Sequence, residues 1–121
     1  MNSHAYFFDT YAFFEIIRGS PGYKIYSKTQ AITTIFNLAE LNYNLKKEMS
    51  KKAADELTER YKAYLVAVTL DDVKVAMDLK IKNKDLSIPD VIGYLIAKKY
   101  GVLFLTGDEG FNGMSNVELV K

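Results

Sequence analysis

The sequence predicts an α/β protein, a parallel sheet covered by helices on both faces, and three features predict it. Short, largely apolar runs recur at residues 5–8, 64–69 and 102–105, with the length and composition of buried strands. Segments with helical character alternate with them, which calls for right-handed crossovers between parallel neighbours. Acids stand just beyond two of the runs, Asp9 after the first and Asp108 after the third through Thr106-Gly107.

In chain order, Ala5–Phe8 is apolar and aromatic without helical periodicity and predicts the first strand. Residues 11–18 are apolar at most positions and stop at Gly19-Ser20-Pro21-Gly22, so a short, heavily buried helix should end there. Ile32, Ile35, Phe36, Ala39 and Tyr43 then recur at helical spacing, bounded by polar Thr33, Thr34, Asn37 and Asn42, and predict an amphipathic helix. Residues 51–61 are rich in good helix formers, and 64–69 should be a second buried strand. Leu70-Asp71-Asp72 opens a helix carrying Val73, Ala76, Met77 and Ile81, its acids well placed in the first turn. Ser87-Ile88-Pro89-Asp90 leads into a helix over 91–100, Gly101 is placed to end it in the left-handed conformation, and 102–105 is the third strand. Residues 116–120 should add an edge strand.

A length of 121 residues suits one domain with one core, here 1–121. The chain is 49% hydrophobic and 26% charged, which argues against disorder and fibrous repeats. No apolar run approaches the roughly 20 residues of a membrane span. The start lacks a secretory pattern and cysteine is absent, both consistent with the reducing cytoplasm. The missing thiols exclude cysteine nucleophiles and thiolate zinc sites, and the single histidine, His4, reads as a surface residue ahead of the first strand. Carboxylates, hydroxyls and lysines remain. A net charge of +1 gives no bulk attraction to nucleic acid, and the lysine groups at 46, 47, 51 and 52, at 80, 82 and 84, and at 98 and 99 read first as solvated helix faces.

Ligands of open parallel sheets bind beyond the carboxyl ends of the strands, which makes Asp9 and Asp108 candidates, although singly either is more often a turn or capping residue. Glu40 lies at the border of the predicted apolar stripe, where it either turns toward neighbouring elements or snorkels outward. Asp90 is explained by a capping box with Ser87 and gains functional interest only in company. Four such acids brought together would repel, each pair by roughly 3 kcal/mol at ~5 Å and an effective dielectric near 20. Protons or hard cations must relieve this, and an all-oxygen set favours Mg2+ or Mn2+. Thr10 and Thr106 add hydroxyls that could position a ligand or a water.

Taken together and in this order, Phe7-Phe8-Asp9-Thr10, Leu38-Ala39-Glu40-Leu41, Pro89-Asp90-Val91-Ile92 and Leu105-Thr106-Gly107-Asp108-Glu109-Gly110-Phe111 resemble the PIN domain over nearly the whole chain. Size and organisation are most similar to the toxin subunits of VapBC toxin-antitoxin pairs. The resemblance implies a three-layer α/β/α sandwich, Mg2+- or Mn2+-dependent cleavage of RNA, and a metal-holding cluster of Asp9, Glu40, Asp90 and Asp108 supported by Thr106. It also implies a homodimer inhibited by a cognate antitoxin lying across the first helices. The aromatic-rich stretch Tyr11, Phe13, Phe14, Tyr23 and Tyr26 could serve such docking, although core packing is the more usual role for most of these rings. Many relatives carry a further acid shortly after the last aspartate, where this chain has Gly110, which leaves the number of ions open.

Two other functions fit such a sheet. A phosphoryl-accepting receiver expects paired acids after the first strand and a lysine after a late one, where this chain has Asp9-Thr10 and Thr106-Gly107. A PIN fold that acts as a binding module through a protein partner keeps the architecture without the chemistry.

Overall fold

Phe7 and Phe8 point to opposite faces of the first strand, and the two halves of the core follow from that alternation. The computed structural model describes residues 5–121, so His4 lies outside them. Four strands, β1 (Ala5–Phe8), β2 (Gln30–Ile32), β3 (Leu103–Thr106) and β4 (Val117–Leu119), form one sheet in the order β2-β1-β3-β4, parallel throughout. Five α-helices accompany them among the described residues: α1 (Thr10–Arg18), α2 (Ile35–Lys46), α3 (Lys51–Glu59), α4 (Leu70–Lys82) and α5 (Ile88–Lys99).

Phe8 and Leu105 pack with Ala12 and Phe13 of α1, Leu38, Leu41 and Leu45 of α2 and Ala54 of α3. Phe7 and Phe104 pack with Ala76 of α4 and with Val91, Ile92 and Ile96 of α5. The three-layer α/β/α sandwich is therefore as expected, with α1–α3 on one face of a fully parallel sheet and α4 and α5 on the other. Phe7 and Phe104 are register partners across β1 and β3, and their rings stack at 5.5 Å.

Three sequence expectations are corrected. Residues 64–69 do not form a strand. They leave a 3-10 turn at Lys62–Tyr64 and meet the sheet only in a single bridge from Leu65 to Thr33. Their apolar side chains divide between the two core clusters, Leu65 on one and Val66 and Val68 on the other. The second strand is instead β2, at the edge beside β1, three residues too short to announce themselves. Third, α2 buries Leu38, Leu41 and Leu45, while Ile35, Phe36 and Tyr43 of the predicted stripe stay 59%, 36% and 65% exposed. Two apolar arcs compete on this helix, and the polar boundary settles the choice. Thr33 donates to the Phe8 carbonyl at 2.9 Å, and Thr34 caps the helix by accepting from the Asn37 amide at 3.3 Å. With both threonine hydroxyls and the Asn37 Oδ1 paired, Thr33, Thr34 and Asn37 go inside at 0% exposure.

The last third follows expectation. Ser87 and Asp90 form the reciprocal capping box, Gly101 has φ +70° after α5, and β4 is the edge strand. No helix among the described residues is long and apolar enough to cross a membrane.

Gly93 brings α5 against the sheet, because a Cβ there would stand 2.7 Å from the Phe7 ring and 3.1 Å from Phe104. Both rings are fully buried and cannot give way. Gly93→Ala should therefore destabilise the fold by ~1–3 kcal/mol in denaturant titration. Gly22→Ala, where the added methyl meets neighbours at an ordinary 3.6 Å, is the comparison and should change stability little. Equal stability of the two variants would refute the close approach.

Candidate active site

The strand order reverses at β1, which has β2 on one side and β3 on the other, so the crevice of an open parallel sheet should open where β1 and β3 end. Asp9 follows β1 and Thr106 closes β3. A cleft of about 440 Å³ lies there, and Asp9, Glu40, Asp90 and Asp108 all line it. Thr106 sits behind it at 0% exposure. The fold thus brings the four sequence-predicted acids to one cleft, from β1, α2, α5 and the turn after β3.

Each acid is held by at least one hydrogen bond to its carboxylate, local for Asp9, Asp90 and Asp108 and from the neighbouring helix for Glu40. Asp9 caps α1, its Oδ1 accepting from the Ala12 amide at 2.8 Å. The Thr10 hydroxyl donates to Glu40 Oε1 at 2.6 Å and so ties α2 to α1. Asp90 Oδ2 accepts from the Ser87 amide at 2.9 Å, and Asp108 Oδ1 from the Gly110 amide at 2.9 Å. The Thr106 hydroxyl serves two acids: its oxygen accepts from the Asp108 amide at 3.1 Å, and it hydrogen-bonds the Asp9 carboxylate. Capping and site-building are therefore the same bonds for Asp9 and Asp90.

Asp9 is 2% exposed. Burial pushes its carboxyl up to about 8, with Asp90 and Asp108 adding to the rise against the hydrogen bonds from Thr106 and Ala12. Asp90 is also raised, first by burial and then by Glu40 and Asp108. Among the described residues none of the four acids is in an ion pair with lysine or arginine. Nor do any three acids there stand close enough around one point to form a finished ligand set. The donor chemistry nevertheless fits a hard divalent cation: the oxygens are carboxylate and hydroxyl only, and a buried carboxylate among like charges lacks a counterion.

Seven carboxylates line the cleft against two cations, Arg18 and Lys47. Sequence reading missed Glu15, Glu48, Asp85 and Arg18 as lining residues. Glu15 and Arg18 were findable, since they follow Tyr11 on one helical face. Lys47 is the exception in its lysine group, whose neighbours Lys46 and Lys51 pair with Asp55 at 3.0 and 3.7 Å, as solvated helix faces do.

Comparison with known proteins agrees with this architecture. The PIN domain family matches residues 6–116. Curated proteins provide no sequence match. Among solved structures, a toxin-antitoxin complex from Klebsiella pneumoniae superposes with a TM-score of 0.73 at 18% identity, covering 93% of this chain and 94% of that one. VapBC2 from Rickettsia felis, bound to a DNA fragment from its promoter, superposes with a TM-score of 0.70 at 15% identity, covering 97% and 99%. At such identity these neighbours establish the fold.

The raised Asp9 carboxyl has a consequence for stability. The unfolded chain ionises this group near 3.8 and the folded chain near 8, so folding opposes its ionisation. Without metal, its contribution to stability is greatest at low pH and is lost as pH rises between those values. Asp90 acts in the same direction. In a chelator, Tm should rise as the pH is lowered from about 8 to about 5. Asp9→Asn should flatten that dependence and stabilise the metal-free chain at pH near 8 by a few kcal/mol, on the order set by the shift. A Tm that falls over this window would contradict the burial of a strained carboxylate.

Proposed function

The chain belongs to the PIN domain family, and from that premise we propose that it is a metal-dependent ribonuclease, the toxin subunit of a toxin-antitoxin pair. The observation that carries the proposal is the convergence of Asp9, Glu40, Asp90 and Asp108 on one cleft at the switch point of a parallel sheet, with Asp9 buried there. Asp9, Glu40, Asp90 and Asp108 are the residues assigned to hold Mg2+ or Mn2+. When bound, such an ion activates a water and stabilises the charge that develops on a phosphodiester.

The rest of the work falls to the chain. Thr10 fixes Glu40 at 2.6 Å, and the rigid capping box fixes Asp90 at the start of α5. Thr106 orients Asp9 and the backbone of Asp108 together. Asp9 must give up its proton for a cation to enter, so metal affinity should rise with pH up to about 8. The chain is assigned as a single domain over 1–121 acting in the cytoplasm on RNA, as a homodimer held in check by a cognate antitoxin. The toxin-antitoxin complexes that share its fold support the partner assignment.

A second reading, a PIN-fold binding module acting through a partner, is favoured by one observation: no three acids among the described residues stand in a finished ligand set. Cleavage separates the two. The purified chain, free of antitoxin, should cleave RNA in manganese, and Asp9→Asn and Asp90→Asn should each reduce the rate about 100-fold or more while remaining folded. Manganese calorimetry on the same samples should lose its heat in Asp9→Asn. Thr106→Val should weaken manganese binding about tenfold, the effect of losing a group that orients a ligand. A folded wild type that neither binds manganese nor cleaves RNA would establish the binding module.

A further inference from the structure

One face of α1 is turned to the cleft: Tyr11, Phe14 and Arg18 all line it, at the i, i+3, i+7 spacing of a single helical stripe, while Ala12 and Phe13 enter the core. Tyr11 is 38% exposed although its ring is seated against the loop that carries Asp108. Gly107 makes this possible, since a Cβ at that position would strike the Tyr11 ring. Arg18 lies about 10 Å farther along the helix. Its guanidinium sits 5.3 Å from the Phe14 ring centroid, and its ion pairs are a 3.2 Å contact to Glu15 and a 3.9 Å contact to Glu48. With the Arg18 side chain 56% exposed, such pairs hold it weakly, and an incoming phosphate can replace them. In a cleft with seven carboxylates, Arg18 and Lys47 are the two cationic side chains, the Lys47 amine resting 4.8 Å from the centroid of the exposed Tyr43 ring.

We propose that this face of α1 is the substrate wall of the cleft, with Tyr11 stacking a nucleobase beside the acidic cluster and Arg18, aided by Lys47, binding phosphates farther along the same strand. The inference rests on the nuclease reading and assigns the side chains that would engage its substrate. An aromatic ring stacks on a base only where the base has left its helical stack, as in loops and ends.

The test is the anisotropy of a fluorescein-labelled, mixed-sequence RNA strand, and of the same strand annealed to its complement, titrated with the full chain carrying Asp9→Asn to prevent cleavage. Adding Tyr11→Leu should weaken binding of the strand about tenfold and leave the duplex unchanged, within the range measured for base stacking. Tyr11→Phe should keep the affinity, and so should Tyr100→Leu, an exposed ring beyond the end of α5. Arg18→Gln should reduce the salt slope of single-strand binding by about 0.7, one phosphate contact. In the otherwise wild-type chain, Tyr11→Leu should lower kcat/KM for RNA about tenfold, again by lost stacking. Equal affinity and equal kcat/KM for Tyr11→Leu and its parent, equal weakening of strand and duplex, or an unchanged salt slope in Arg18→Gln would overturn the wall. If wild type still cleaves RNA in that case, the nuclease reading stands and only the wall falls. If wild type neither binds nor cleaves, both fall together.

Discussion

A carboxylate buried where two central strands end is the constraint around which this molecule is arranged. Asp9 is 2% exposed and shares its cleft with Asp90 and Asp108, so burial first and like charge second make its ionised form oppose folding. Such a group persists only when the surrounding structure fixes it, and three elements do so. The β1 backbone reaches β3 through the Asp9 amide at 3.4 Å from the Leu105 carbonyl, α1 begins on the Asp9 side chain, and Thr106 hydrogen-bonds it from the end of β3.

The neighbouring acids are placed by the same economy. Asp90 belongs to a capping box and Asp108 to the 3-10 turn that follows β3, so each would be present in a protein with no chemistry to perform. Their convergence is the informative feature. A helix cap aims its side chain according to where the helix begins, and α5 begins at the cleft because Gly93 lets it lie flat on Phe7 and Phe104. Glu40 has no capping role and is held by a hydroxyl from the neighbouring helix, so its position depends on α1 and α2 being packed together. Burial and the neighbouring like charges both raise the Asp9 and Asp90 carboxyls, which makes the cleft sensitive to pH.

The buried threonines and Asn37 belong to the same arrangement. Thr33 anchors the start of α2 to the Phe8 carbonyl, and the Asn37 carbonyl accepts from Thr10 at 3.3 Å. Asn37 is fully buried, with its Oδ1 taken by Thr34 and its Nδ2 without a partner among the described residues. Such an uncompensated amide is a cost carried beside the site, as strained or unsatisfied groups commonly are. Buried polar residues here mark where α2 begins, and Asn37 shares its inner side with Leu38, Leu41 and Leu45.

The sequence by itself determined the alternation of strands and helices, β1 and β3, the capping box at Ser87 and Asp90, the left-handed Gly101 and the set of acids worth testing. These are local matters, written in runs of apolar residues, cap chemistry and spacing. The tertiary structure alone decided that 64–69 leaves the sheet, that three unremarkable residues at Gln30–Ile32 take the edge, and which of two apolar arcs on α2 is buried. Each of those choices turns on partners distant in the chain, such as the Phe8 carbonyl that draws Thr33 inward. The same holds for the cleft: which acids share it, and that Tyr11 and Arg18 face them, depends on strand order and helix packing, and pairings between remote segments leave no periodicity in the sequence to read.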